Sequence, residues 1–249
     1  MIEKCENSNT PDGGTKTPGD SKNNRKREPI GGGTFVYTTD EYRFGTDALV
    51  LAEFAEIKKT DLVCDLGCGG GIIPMIFCRD KKGAEIYGVD VQENACRIAL
   101  AAAEENGFDN LKIINSDWSQ IRGKLPLGRF SVVTCNPPYT KMGAGIVNPN
   151  TARQIARHER EDTLSSAVAA AASLLRSGGR FYICQRPDRL CDVIITMREN
   201  KLEPKRMRFV HYENAPTPWL VLVEGRKDGK PGMMIDPILS VNSDSYSHF

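Results

Sequence analysis

The stretch Leu62-Val63-Cys64-Asp65-Leu66-Gly67-Cys68-Gly69-Gly70-Gly71-Ile72-Ile73-Pro74-Met75-Ile76-Phe77 decides the fold. Its first five residues are apolar and partly β-branched, which suits a buried strand. The glycines follow at once. The apolar residues after them recur at helical spacing. A glycine-rich turn between a strand and a helix brings the backbone close to a ligand and aims helix N–H groups at it. The pattern here is Asp-x-Gly-x-Gly-x-Gly. It is neither the dinucleotide Gly-x-G-x-x-Gly pattern nor a Gly-x-x-x-x-Gly-Lys-Ser/Thr phosphate loop. An acidic residue just before the glycines would repel a phosphate and suits an ammonium group.

Strand and helix patterns alternate on both sides of this unit. Ala84 to Val89 reads as a strand that ends in Asp90, and Asn94 to Asn106 as an Ala-rich helix closed by Asn106-Gly107. Leu111 to Ile114 is a third strand, followed by Ser116-Asp117-Trp118. Phe130 to Cys135 is a fourth, followed by Asn136-Pro137-Pro138-Tyr139. Thr163 to Leu175 reads as a helix, Arg180 to Cys184 as a fifth strand, and Pro187 as the start of a helix reaching about Asn200. Arg206 to Tyr212 and Trp219 to Val223 read as an antiparallel pair. Upstream, Thr34 to Thr38 is a short strand, and Thr46 or Asp47 caps a helix. The alternation predicts an α/β, Rossmann-like fold: a doubly wound, mostly parallel seven-stranded sheet with an antiparallel C-terminal strand.

The chain has 249 residues, 40% of them hydrophobic and 26% charged, with a formal net charge of +1, so it can bury a core and stay soluble. No apolar run approaches the roughly 18 residues of a membrane span, and no apolar segment follows the charged N-terminus. The eight cysteines are scattered without a Cys-x-x-Cys, and the three histidines are far apart. A reducing, cytoplasmic setting without membrane or metal is expected. Residues 1–29 read as a disordered polar tail and 237–249 as a flexible one, with the folded domain over 30–236.

The strand ends define a site. Two consecutive prolines cannot continue a sheet, so a rigid corner stands after Cys135. Asn136 offers a side-chain carbonyl and Pro137 a backbone carbonyl, two acceptors for both hydrogens of a flat –NH2 group. Tyr139 offers a ring for the planar system that carries the amine. Asp65 suits an ammonium. Asp90, with Val91 beside it, suits the two hydroxyls of a ribose. Asp117 suits the exocyclic amine of an adenine, with Trp118 against its face. Gly67, Gly69 and Gly71 form the backbone cradle. The ligand that fits this order is S-adenosylmethionine, and the amine clamp then stands where a methyl group is delivered. The reaction implied is methyl transfer to a planar nitrogen.

Asp65-Leu-Gly-Cys-Gly-Gly-Gly71, Gly88-Val-Asp90 and Asn136-Pro-Pro-Tyr139 resemble the class I methyltransferases that modify amino groups. Tyr42-Arg-Phe-Gly-Thr-Asp-Ala48, Gly71-Ile-Ile-Pro74, Ala156-Arg-His-Glu159, Arg180-Phe-Tyr182, Leu202-Glu-Pro-Lys-Arg206 and Gly229-Lys-Pro-Gly232 are similar to the bacterial valine-tRNA adenine-N6 methyltransferases. That resemblance runs from about Phe35 to Asp236. It implies a tRNA substrate, methylated at the adenine just 3′ of the anticodon, and adds Arg43, Phe44 and Thr46 to the cofactor site. Many relatives carry Glu where Asp90 stands, and the ribose role survives that change. A monomer or weak homodimer is expected.

RNA phosphates are expected to meet Arg153, Arg157, His158 and Arg160, in a segment of about 20 residues without a clean period. Arg206 and Arg208 share a strand face and are a second candidate contact. Three other readings remain. A glutamine-amide methyltransferase for a translation factor shares Asn-Pro-Pro-Tyr, but a polar tail stands here where those relatives carry a helical domain. A DNA adenine methyltransferase would need a sequence-reading domain. An inactive RNA-binding version of the fold has no need of the acidic and Asn-Pro-Pro-Tyr positions kept here.

Overall fold

The computed structural model describes residues 25–137 and 163–242. Tyr139, Arg153, Arg157, His158 and Arg160 lie outside them. In chain order the elements are β1 (Lys26–Pro29), β2 (Phe35–Thr38), α1 (Thr46–Phe54), β3 (Leu62–Leu66), α2 (Ile72–Arg79), β4 (Glu85–Asp90), α3 (Glu93–Glu105), β5 (Leu111–Asn115) and β6 (Phe130–Cys135). Then come α4 (163–174), β7 (Leu175–Gln185), α5 (Leu190–Glu199), β8 (Leu202–Tyr212), β9 (Leu220–Lys227), β10 (Met234–Ile235) and β11 (Leu239–Val241). The main sheet runs β10-β8-β9-β7-β6-β3-β4-β5, with β11 also on β8.

The core of the sheet, from β5 through β3 and β6 to β7, is parallel; β9 runs antiparallel between β7 and β8. This is the expected seven-stranded arrangement with two short additions. Alternate residues of each strand enter opposite cores. Val63, Val132, Tyr182 and Leu222 face one apolar cluster, with residues of α1, α2 and α3. Cys64, Val133, Phe181 and Val223 face the other, with residues of α4 and α5. Period-2 alternation on strands covered by helices on both faces explains why these segments read as continuous apolar runs. The chain winds outward from β3 through β4 to β5, then returns to add β6 and β7 on the other side. The sheet therefore changes direction between β3 and β6, and the crevice at their carboxyl ends is the ligand position of such folds.

Three boundaries differ from the sequence reading. Residues 26–29, assigned to the tail, form a strand paired with β2. All four of its residues are exposed, so no apolar pattern marked it. The hairpin is held to α3 by Asn106, whose amide accepts from Phe35 N–H at 3.2 Å and donates to Phe35 C=O at 2.8 Å. Residues 239–241, assigned to the flexible C-terminal tail, pair in parallel with Val210–Tyr212. The fifth strand is longer than its apolar segment, because Leu175 already pairs with Phe130 across a bulge. Among the described residues no helix is long and apolar enough to cross a membrane.

Candidate active site

The floor of the crevice is the glycine turn. Gly67 and Cys68 donate their N–H groups to Val89 C=O at 2.8 and 3.0 Å, which ties the turn to the neighbouring strand. Gly67 has φ +73°, and an added Cβ would stand 3.2 Å from the Trp118 ring. Conformation and space both require glycine there. The Gly69 N–H donates to Asp90 Oδ2 at 2.8 Å, and Gln92 N–H to Asp90 Oδ1 at 2.9 Å. Asp90 thus braces the turn. A carboxylate has about four acceptor positions, so the same oxygens can still receive ribose hydroxyls.

Asp65 is 1% exposed. Its Oδ1 accepts from Thr134 Oγ1 at 2.6 Å, across the directly paired β3 and β6 positions. Its Oδ2 is buried without a partner. Burial pushes the carboxyl up to about 7 against the opposing hydrogen bond from Thr134, and Asp90 nearby pushes the same way. An acceptor that is buried, unsatisfied and on a cavity wall is what a cationic ligand group would complete.

Two cavities meet over the turn. One, of about 220 Å³, is lined by Arg43, Phe44, Asp47, Asp65 and the glycines. The other, of about 570 Å³, is lined by Asp90, Val91, Ser116, Asp117, Trp118 and Ser166. Gly67, Gly69 and Asn136 border both. In the larger cavity Val91 is 63% exposed, an apolar side chain held open to solvent. Trp118 Nε1 donates to Ser166 Oγ at 3.1 Å, which fixes the ring on the wall of the same cavity. Asp117 caps the turn Trp118–Gln120 by accepting from Ser119 N–H at 2.7 Å. Hydrogen bonds from Ser119 hold its carboxyl below the usual range. It remains charged and can accept from an amine.

Asn136 stands where the cavities join, immediately after β6. Its Nδ2 donates to Asp47 Oδ2 at 3.1 Å, and its Oδ1 accepts from Cys184 Sγ at 3.0 Å. Pro137 follows as a buried residue.

The structure therefore gathers Arg43, Phe44, Asp65, Gly67, Gly69, Asp90, Val91, Asp117, Trp118 and Asn136 at one crevice. Four expected positions stand apart from it. Thr46 is not on either wall, although Gly45 and Asp47 beside it are. Gly71 caps α2 with φ +86°, and an added Cβ would come 3.0 Å from Ala99 Cβ. Its glycine serves the close contact between α2 and α3. Arg206 and Arg208 do share a face, but that face is turned onto carboxylates. Arg206 donates to Glu224 at 3.0 Å, to Asp236 at 3.3 Å and to Phe54 C=O at 2.8 Å, and lies 4.1 Å over the Phe54 ring. Arg208 donates to Asp236 at 3.1 Å. These guanidinium groups bind the C-terminal segment to the sheet through Asp236. Asp47 and Ser166 were missed. Each acts through a contact distant in sequence, and neither lies in a strand-end pattern.

A doubly wound sheet whose first strand runs into this glycine turn, with acidic residues at the ends of β3 and β4, defines the Rossmann-like methyltransferases of class I. S-adenosylmethionine is the donor of that class, and the chemistry of the crevice is compatible with it: Asp65 has a buried oxygen without a partner, Asp90 is a carboxylate at a strand end, and Val91, Asp117 and Trp118 stand on the wall of the larger cavity. The chain belongs to the methyltransferase-domain family, whose model matches residues 57–214. Among curated relatives, a tRNA1(Val) (adenine(37)-N6)-methyltransferase of Porphyromonas gingivalis is 27% identical over 191 residues, 74% of each chain. One of the same name from Proteus mirabilis is 28% identical over 145 residues, 57% of this chain and 56% of the relative. Among solved structures, a predicted O-methyltransferase from Agrobacterium tumefaciens superposes with a TM-score of 0.59 at 16% identity, covering 80% of this chain and 90% of that one. TrmN from Thermus thermophilus gives 0.55 at 16% identity, covering 72% and 48%.

Proposed function

We propose that this chain methylates the exocyclic N6 of an adenine in tRNA, in the anticodon loop next to the anticodon, with S-adenosylmethionine as donor, in the cytoplasm. The observation that carries the reading is Asn136. It stands at the junction of the two cavities, with its amide held at both ends, and it opens the sequence Asn-Pro-Pro-Tyr. The names of the Porphyromonas and Proteus relatives support the nucleic-acid substrate and the position.

When bound, the donor supplies an electrophilic methyl group on a sulfonium. Asn136 Oδ1 and the Pro137 carbonyl accept the two hydrogens of the adenine amine. An amide oxygen accepts two hydrogen bonds, so the Cys184 thiol and the amine can share Oδ1. That pair of bonds favours a pyramidal nitrogen and restores a lone pair otherwise delocalised into the ring. It also fixes the direction of attack, where orientation supplies much of the acceleration. A strong base is not required, because the nitrogen proton becomes acidic only as the new bond forms. Tyr139 stacks on the base, a contact worth roughly 1–3 kcal/mol. Arg153, Arg157, His158 and Arg160 hold RNA phosphates. Loop adenines are cheaper to extrude than paired ones.

The test is incubation of the purified chain with labelled donor and tRNA lacking the modification, then nucleoside mapping by mass. N6-methyladenosine beside the anticodon of one tRNA is expected, and the Asn136→Ala variant should bind donor normally but lose at least about 100-fold in rate. Methyl groups on another atom, or full turnover by that variant, would overturn the proposal.

A further inference from the structure

We infer that Asp47 is a positioning residue: it sets which way round the Asn136 amide sits, and so which atom meets the amine of the substrate. The inference rests on the reading of Asn136 as the amine clamp. A side-chain amide has an acceptor end and a donor end of nearly the same shape, and rotation by half a turn exchanges them. Only the acceptor end can take a hydrogen from the substrate amine. The reversed amide would set –NH2 against –NH2.

The structure holds the orientation from two sides. A carboxylate has no hydrogen to give, so Asp47 Oδ2, 3.1 Å from Nδ2, admits only the donor end of Asn136. On the other side the Cys184 thiol, from β7, lies 3.0 Å from Oδ1 and suits the acceptor end. The thiol is both a weak donor and a weak acceptor, so it tolerates either orientation. Asp47 is the discriminating contact.

Asp47 is itself anchored. Its Oδ1 accepts the Ala48 N–H at 2.9 Å, in the first turn of α1. A Cβ added at Gly45 would stand 2.6 Å from that oxygen. The bare Gly45 thus leaves the space into which the carboxylate folds. Gly45-Thr46-Asp47 acts as one device: space, turn and carboxylate, 89 residues before the asparagine it serves.

The experiment has two arms on the full chain. In the first, the Asn136 side-chain amide is followed by proton–nitrogen NMR without ligand, identified as the pair that disappears in Asn136→Ala. One of its protons should lie downfield and exchange slowly in the wild type. Asp47→Ala, and Gly45→Ala, which keeps every polar group, should abolish that shift and speed exchange at least about tenfold. In the second arm, kinetics are measured with tRNA. Asp47→Ala should lower kcat about 10- to 100-fold, while KM for the donor moves less than about threefold. Asp47→Asn keeps an acceptor but can also invert, and should fall between. Unchanged amide signals in Asp47→Ala would refute the inference, as would wild-type kcat, or a loss carried wholly by donor KM. If the wild-type chain methylates no adenine, the proposed function falls, and the amide signals still decide whether Asp47 orients Asn136.

Discussion

Changing Asp65 to Asn should make the ligand-free protein more stable at pH 8, by a smaller margin at pH 5, and no more stable below about pH 4. Asp65 lies beneath the glycine turn at 1% exposure, with one oxygen lacking a partner. Burial raises its carboxyl from 3.8 to about 7. The folded chain therefore holds that proton more tightly than the unfolded chain does. The resulting stability is complete below about pH 4 and is lost as pH climbs through about 7. At 1.36 kcal/mol per pH unit, the full span corresponds to about 4 kcal/mol. Asparagine keeps the shape and removes the titration, so the variant should gain a few kcal/mol over the wild type at pH 8, read by urea unfolding. The donor should reverse this cost. An ammonium group pairs only with the ionised carboxylate, so wild-type affinity should rise roughly fifteenfold between pH 5.5 and 7. Calorimetry in buffers of different ionisation enthalpy should detect the released proton. Flat affinity across that range, with equal stability of the two proteins at pH 8, would refute the argument that Asp65 is a buried counter-ion awaiting its cation.

Other outcomes follow from the same contacts. Gly71→Ala should cost about 1–3 kcal/mol in unfolding free energy, from a left-handed backbone and a clash with Ala99, with donor affinity retained in the folded fraction. Arg206→Ala should destabilise by about 3 kcal/mol, because it removes the guanidinium paired with the partly buried Glu224 and leaves Asp236 to Arg208 alone, while tRNA affinity changes less than about twofold. Asp90→Ala should weaken donor binding at least about tenfold, since it removes the brace of Gly69 along with the ribose acceptor. Affinity for tRNA should fall steeply with salt if Arg153, Arg157 and Arg160 meet phosphates, and substituting any one of them should reduce the logarithmic slope by about 1.

What the sequence made legible follows the range of the forces involved. The β3–turn–α2 unit could be read because strand, glycines and helix are contiguous, and each residue's role depends on near neighbours. Asp90 and Asn136 were legible because strand ends in a wound sheet converge whatever the loops between them. Thr46 or Asp47 was expected to cap α1, but the cap is Gly45, without a side-chain bond, and Asp47 lies within the first turn, where its Oδ1 accepts the Ala48 N–H. Its other oxygen serves Asn136, just after β6, a pairing that no local pattern encodes. Arg206 and Arg208 were rightly set on one face, but the carboxylate that claims them arrives from beyond β9, at Asp236. Strand β1 was missed because it is polar on both sides. It forms through backbone pairing and through Arg27 and Tyr37 binding Glu105.

The two short strands on the outer edge of β8 close off a hazard. β8 is 11 residues long, and a strand of that length with open N–H and C=O groups is a template for pairing with another chain. Met234–Ile235 and Leu239–Val241 occupy that template in parallel, clasped by the arginines through Asp236. Proteolytic loss of the chain after about residue 232 would leave the crevice intact and uncover a sticky border. Such a trimmed protein should remain active when dilute and precipitate when concentrated.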